Sequence, residues 1–489
     1  AGSSISHVLP VSAPNRVSNS APGTWKAMQL APLLAAAVAV LTARRSVLGL
    51  RLLDEPPDAK RSAQEEAWRQ TLHNFKDVQY SGDLTIGGQT IRGILDTGSF
   101  ELVVFDRSCE SCLKAGAYSP AASRSFRAGD TWQTLTYGSG LLQVEQGFDL
   151  VAIGPYSEVE MVFWDATAAR MPVLQYAHFN AIVGIGPPRD PDVDALARRS
   201  LDSGAEFQTA DSGKAVAGHA GWAADADAEP TLIQAFGVTQ FSICLGREPG
   251  SEGYFVWDDS SSTEHPDQFS RIEVVGVRTW TVRMTGVQLS LGGEGLGSIS
   301  SCEEGCGALV DSGTSLLMMP LAAARGLALL LESTGANCNN FASLPDLAFT
   351  LDGKEFSLPP DAYVAKVEAA SASGGAPVPA LHRLGFGSGD CELAVMVSTA
   401  ATSWGPMWIL GMPFFREYYT SFRLGRSSSE RAIFTSPAAS DCRPSAPAAL
   451  GRRSKGGAYR RGELRSLNRS DIFVSRTMQR AMSEAWFDA

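Results

Sequence analysis

From Val78 onward the chain alternates between short apolar or alternating runs and clusters of glycine, aspartate and serine. That pattern predicts strands joined by tight turns rather than long helices. In the first half the runs cover 80–86, 90–95, 102–105, 132–136, 141–144, 148–153 and 158–164, with a hairpin tip at Tyr137-Gly138-Ser139-Gly140. Asn180-Ala-Ile-Val-Gly184 is a further buried run closed by glycine. Over 187–230 strand periodicity gives way to Pro, Asp, Ala and Gly, which reads as a surface insertion. Order returns with a short helix at 231–236 and strands at 241–245, 254–257, 272–275 and 280–284. A helix is expected at 321–331, and strands at 347–351, 393–397 and 408–410, the last closed by Gly411. Each half thus contains an apolar run ending in Asp and, further on, an apolar run ending in Gly. This is a weak internal duplication rather than a short-period solenoid.

Composition adds little to the fold, but charge adds organisation. The formal net charge of −11 is unevenly spread: residues 443–489 carry ten Lys/Arg against four Asp/Glu, and residues 1–75 eight against five. The body between them is strongly acidic, which argues against nucleic-acid binding by the body and lets a basic N-terminal segment lie on it as a removable mask. Residues 28–43 form an apolar run of sixteen between Lys26 and Arg44-Arg45. A spanning helix needs about 20 such residues, so a signal peptide starting at Met28 suits the run better. The arginines that follow keep a signal anchor as the alternative, and with it the one expected contact with a membrane. Residues 44–75, with dibasic Lys60-Arg61 and a helix-like stretch at 62–70, read as a propeptide. The lobes are expected at 76–255 and 256–440, followed by a basic, flexible tail at 441–489 with a glycosylation sequon at Asn468-Arg469-Ser470. The local pairs Cys109/Cys112 and Cys302/Cys306, behind a hydrophobic leader, favour disulfides in an oxidising compartment. A four-cysteine zinc site is the rival reading.

The candidate chemistry sits in two matched corners. Gly93-Ile-Leu-Asp96-Thr97-Gly98-Ser99 and Ala308-Leu-Val-Asp311-Ser312-Gly313-Thr314 each run from apolar residues into Asp, a hydroxyl, Gly and a second hydroxyl. Two such loops can bring two carboxylates face to face. Like charges at contact distance cannot both ionise easily, so the pair shares a proton and titrates as a unit. One member then takes a proton from water while the other polarises a carbonyl. The hydroxyls of Thr97, Ser99, Ser312 and Thr314 are expected to hold the carboxylates by hydrogen bonds. No Gly-x-Ser-x-Gly or His-Glu-x-x-His is present, and neither a metal nor a cofactor is needed.

With both Asp corners and a Tyr-Gly hairpin between them, the chain resembles the pepsin-like aspartic endopeptidases from about Tyr80 to about Phe434. The resemblance implies a mostly β, two-lobed acid-protease fold with a cleft between the lobes. It implies catalytic roles for Asp96 and Asp311, support from Thr97, Gly98, Ser99, Ser312, Gly313 and Thr314, and a substrate-covering flap at Tyr137, Gly138 and Ser139. Asn180 to Gly184, Trp408 to Gly411 and Phe414-Phe-Arg-Glu-Tyr-Tyr-Thr420 resemble further family segments. It also implies disulfides Cys302–Cys306, Cys338–Cys391 and Cys109–Cys112. Cys244 and Cys442 have no family counterpart and are left either paired with each other or as two thiols. Val103 stands where many members carry a flap-binding tryptophan, and Met412 where an acidic residue is common. The implied protein is a monomeric zymogen of the secretory pathway, secreted or lodged in an acidic vacuole- or lysosome-like lumen, acting on peptides or proteins. A catalytically inactive, pepsin-like binding protein is the alternative.

Overall fold

Strands dominate the computed structural model, which describes residues 67–188, 230–299, 302–335, 341, 343–368, 391–445 and 464–475. The apolar leader, Lys60-Arg61, most of the 187–230 insertion and Cys338 lie outside the described residues. Among the described residues three sheets carry the architecture. The largest has thirteen strands. It starts at Ser270–Glu273, Ala432–Pro437, Tyr418–Arg423, Gln240–Leu245 and Gly253–Trp257. It then crosses Trp68–Phe75 into Gln79–Ile86, Gln89–Asp96 and Ala181–Gly184, and ends at Leu102–Phe105, Val159–Arg170, Gly140–Ile153 and Arg127–Tyr137. Strands from both halves of the chain therefore share one platform. The second sheet, of nine strands, belongs to the C-terminal half and is built around Thr281–Leu291, Cys306–Val310 and Gly405–Leu410. The result is the two-lobed, mostly β architecture expected.

The duplication seen in the sequence is real in three dimensions. Gln89–Asp96 runs parallel to Ala181–Gly184, with Asp96 opposite Gly184. Cys306–Val310 runs parallel to Gly405–Leu410, with Val310 opposite Leu410. In each half a further strand lies antiparallel to the Gly-ended one: Leu102–Phe105 in the first, Leu317–Pro320 in the second. Leu102–Phe105, Ala181–Gly184 and Cys306–Val310 are buried throughout, which is why they read as continuous apolar runs rather than as alternation.

Two stretches depart from expectation. Trp68–Phe75, expected at the end of a propeptide and partly helix-like, is a strand in the middle of the large sheet, between Gly253–Trp257 and Gln79–Ile86. Its inward Gln70 accepts from the Trp257 indole at 2.9 Å and donates to the Asp83 carbonyl at 2.6 Å. Pairing with both neighbours overrides the helix-like reading at Trp68, Arg69 and Gln70, the part of that stretch that lies in the strand. The second departure is the tail expected to be flexible. Ser466–Asn468 pairs in parallel with Val364–Glu368 in a three-stranded sheet, the turn Arg469–Asp471 follows, and Ile472, Phe473, Val474 and Ser475 are buried. The Asn468 carboxamide of the sequon accepts from the Ser470 amide at 2.9 Å, so it caps this turn.

Candidate active site

Each Asp corner is a strand end folded back on itself. Asp96 Oδ1 accepts from the Gly98 amide at 2.8 Å and Oδ2 from the Ser99 hydroxyl at 2.6 Å. Asp311 repeats both bonds, from the Gly313 amide at 2.8 Å and the Thr314 hydroxyl at 2.6 Å. Both carboxyls are fully buried. Thr97 and Ser312 do something else than expected: they cross to the opposite loop instead of holding a carboxylate. Thr97 Oγ1 donates to the Val310 carbonyl and accepts from the Ser312 amide, both at 2.9 Å. Ser312 Oγ donates to the Leu95 carbonyl at 2.7 Å and accepts from the Thr97 amide at 3.1 Å. Four buried bonds thereby clamp the two loops together.

The clamp brings the carboxyls close. A Cβ on Gly98 would lie 2.7 Å from Asp311 Oδ1, and one on Gly313 would collide with the Asp96 carboxyl, so only glycine fits at either place. Burial first, and then the Asp311 carboxylate within hydrogen-bond reach, hold the Asp96 pKa well above the ordinary carboxylate range, against the bonds from Ser99 and Gly98. One proton held in common by the two carboxyls is the chemical consequence.

The hairpin of Arg127–Tyr137 and Gly140–Ile153 carries Gly138 and Ser139 at its tip, and the Gly138 amide donates to the carbonyl of Ser475, whose hydroxyl bonds Asp311. Tyr137 is fully buried in the cluster that also holds Val103, Leu135, Phe179 and Phe473. Met412 is buried next to the second corner, its amide donating to the Thr314 carbonyl at 2.9 Å. Lys76 pairs with Asp471 at 2.9 Å. Lys60 lies outside the described residues.

Two contributors were not anticipated. Ser315 exchanges bonds with Phe473: its amide donates to the Phe473 carbonyl at 3.0 Å, and its hydroxyl accepts from the Phe473 amide at 2.9 Å. The Ser475 hydroxyl donates to Asp311 Oδ2 at 2.7 Å. The available signal was an apolar triplet, Ile472-Phe473-Val474, isolated in a basic tail. Of the disulfides, Cys109–Cys112 and Cys302–Cys306 are present, and Cys244 pairs with Cys442. The Cys338–Cys391 bridge involves a residue outside those described.

Among known proteins, residues 79–432 match the family model described as Eukaryotic aspartyl protease. The chain is 26% identical to pepsin A of Bos taurus over 73% of its own length and 85% of that protein's. It is 28% identical to gastricsin of Homo sapiens, over 72% of this chain and 81% of the other. Renin of Echis ocellatus is 25% identical over 72% and 79% respectively.

Proposed function

This chain belongs to the eukaryotic aspartyl protease family, and from that premise we propose that it is an active aspartic endopeptidase with Asp96 and Asp311 as its catalytic pair. The observation that carries the reading is the clamped, fully buried carboxyl pair with raised proton affinity at Asp96. A water held between the carboxyls gives a proton to the ionised member and attacks the scissile carbonyl, whose oxygen takes the proton of the other. The tetrahedral adduct then collapses to a carboxylic acid and an amine, and the pair is left with one proton again. The flap at Tyr137, Gly138 and Ser139 covers the substrate and keeps bulk water out.

Disulfides support passage through an oxidising compartment, and we place the protein in the secretory pathway. Among the described residues no helix is long and apolar enough to cross a membrane. Processing near Lys60-Arg61 would leave Trp68–Phe75 in the sheet, so the mature body starts ahead of that strand.

The test is hydrolysis of a denatured protein over a pH series, with and without a statine-type inhibitor. Asp96→Asn and Asp311→Asn should each abolish cleavage while remaining folded. Cleavage surviving in either variant would refute the assignment of the pair. A folded wild type that binds the inhibitor but cuts nothing at any pH would instead favour an inactive binding protein.

A further inference from the structure

We propose that residues 464–475 are a tethered inhibitor, seated in this chain's own cleft as a substrate would be, and that the enzyme is latent until they are displaced. The word inhibitor rests on the endopeptidase reading; the docking does not.

The last residues of the segment use the groups that an extended peptide would need. Phe473 exchanges its amide and carbonyl with Ser315 on the Asp311 side. Val474 turns to the flap: its amide donates to the Ser139 hydroxyl at 2.8 Å, and that hydroxyl lies 3.5 Å from its carbonyl. Ser475 spans both walls. Its carbonyl accepts from the Gly138 amide at 3.1 Å, its amide lies 3.5 Å from Thr314 Oγ1, and its hydroxyl donates to Asp311. Alternating pairing with two walls is strand addition, the general way an extended peptide is gripped. The fit is close, because a Cβ on Gly138 would strike the Val474 side chain. Phe473 lies 6.2 Å from the Tyr137 ring and 5.5 Å from Phe179, in the apolar wall beneath the flap. A strap serving stability alone would have no reason to place a hydroxyl on the carboxyl pair.

Upstream anchors fix the register. Arg465, with its side chain 3% exposed, reaches Asp361 at 2.9 Å and Asp77 at 3.6 Å. Arg469 contacts Glu392 at 2.6 Å. Fully buried Asp471 takes Lys76 at 2.9 Å, and its carbonyl accepts from Gln79 at 2.9 Å. The buried charges of Arg465 and Asp471 are poor glue but good register marks, since a slip strands each of them unpaired. Tethering adds an effective concentration on the order of millimolar, which a free peptide must compete against. A basic tail on an acidic body completes the logic, with the C-terminal end acting as the mask.

The test uses the full chain, with Asp96→Asn as a common background to prevent self-cleavage. Amide exchange is read at Gly138 and Ser315, and the affinity of a statine-type inhibitor is measured by calorimetry. Val474→Asp puts a charge against the flap, and Arg465→Gln with Asp471→Asn loosens the anchors without touching the cleft. In at least one of these variants, provided it melts cooperatively, exchange should quicken and the inhibitor bind more tightly, each by tenfold or more. No change in exchange or affinity in any folded variant would overturn the proposal. With Asp96 restored, released variants should hydrolyse peptide at least tenfold faster than the parent chain. Faster exchange with no hydrolysis anywhere would leave the docking standing and remove the endopeptidase reading. Equal hydrolysis in all forms, with unchanged exchange, would remove the inhibitor.

Discussion

At Thr97 and Ser312 the two halves of the chain grip each other through hydroxyls. The partners are 215 residues apart in sequence, and every bond of the clamp is buried. Thr97→Ala deletes two of these bonds and strands the Ser312 amide and the Val310 carbonyl, at a cost of about 2–4 kcal/mol. Urea unfolding should show a lower midpoint with an unchanged slope, and Thr97→Ser should restore most of the loss. An equal midpoint for Thr97→Ala and the parent would show that water replaces the hydroxyl at no cost. The two aspartates, their glycines and the hydroxyls were legible in the sequence, because an apolar run ending in Asp-Thr/Ser-Gly is a local pattern. The division of labour was not. That Ser99 and Thr314 hold carboxyls while Thr97 and Ser312 hold the opposite loop depends on which loops face each other.

The strand Trp68–Phe75 decides where the folded body can begin. It is hydrogen-bonded on both edges and carries Gln70 to the buried Trp257 indole. A chain starting at Ala67 should melt as the longer form does. One starting at Lys76 loses the strand, opens two edges to other chains and leaves the Trp257 donor unpaired. Its melting temperature should fall by several degrees or more, and size-exclusion chromatography should detect association. Matching melts for the two truncations would make the strand dispensable. Local propensity pointed to helix just before this element because Ala, Gln and Glu favour it, and the pairing partner at Gly253–Trp257 lies far along the chain. The tail escaped for the same reason: its strand Ser466–Asn468 pairs with Val364–Glu368, and nothing within its own neighbourhood requires it to be a strand.

Across the whole molecule, buried carboxyls tie stability to acidity. Burial and the neighbouring Asp106 push Asp165 up to about 8. Burial pushes Glu417 up to about 7 despite the Arg247 guanidinium 3.3 Å away. Asp96 is shifted in the same direction. Each group binds its proton more tightly folded than unfolded, so its contribution is full below the unfolded pKa, near 4; for Glu417 and Asp165 it is lost as pH rises through 7 to 8. Glu417 alone accounts for roughly 3 kcal/mol over that window. The melting temperature should therefore be higher at pH 5 than at pH 8, and Glu417→Gln should flatten the difference; a parent chain that melts higher at pH 8 would contradict this. Such a profile suits an acidic lumen. The sequence by itself determined the strand-rich class, the two Asp corners and the hairpin with its tip at Tyr137 to Gly140, since each is written in periodicity and turn residues within a few positions. Only the tertiary structure decided the loop clamp, the Cys244–Cys442 bridge, the inner strand at Trp68–Phe75 and the tail in the cleft. Each of these joins residues well over a hundred positions apart, and their energies come from burial and mutual satisfaction of polar groups that exist only once both partners are in place.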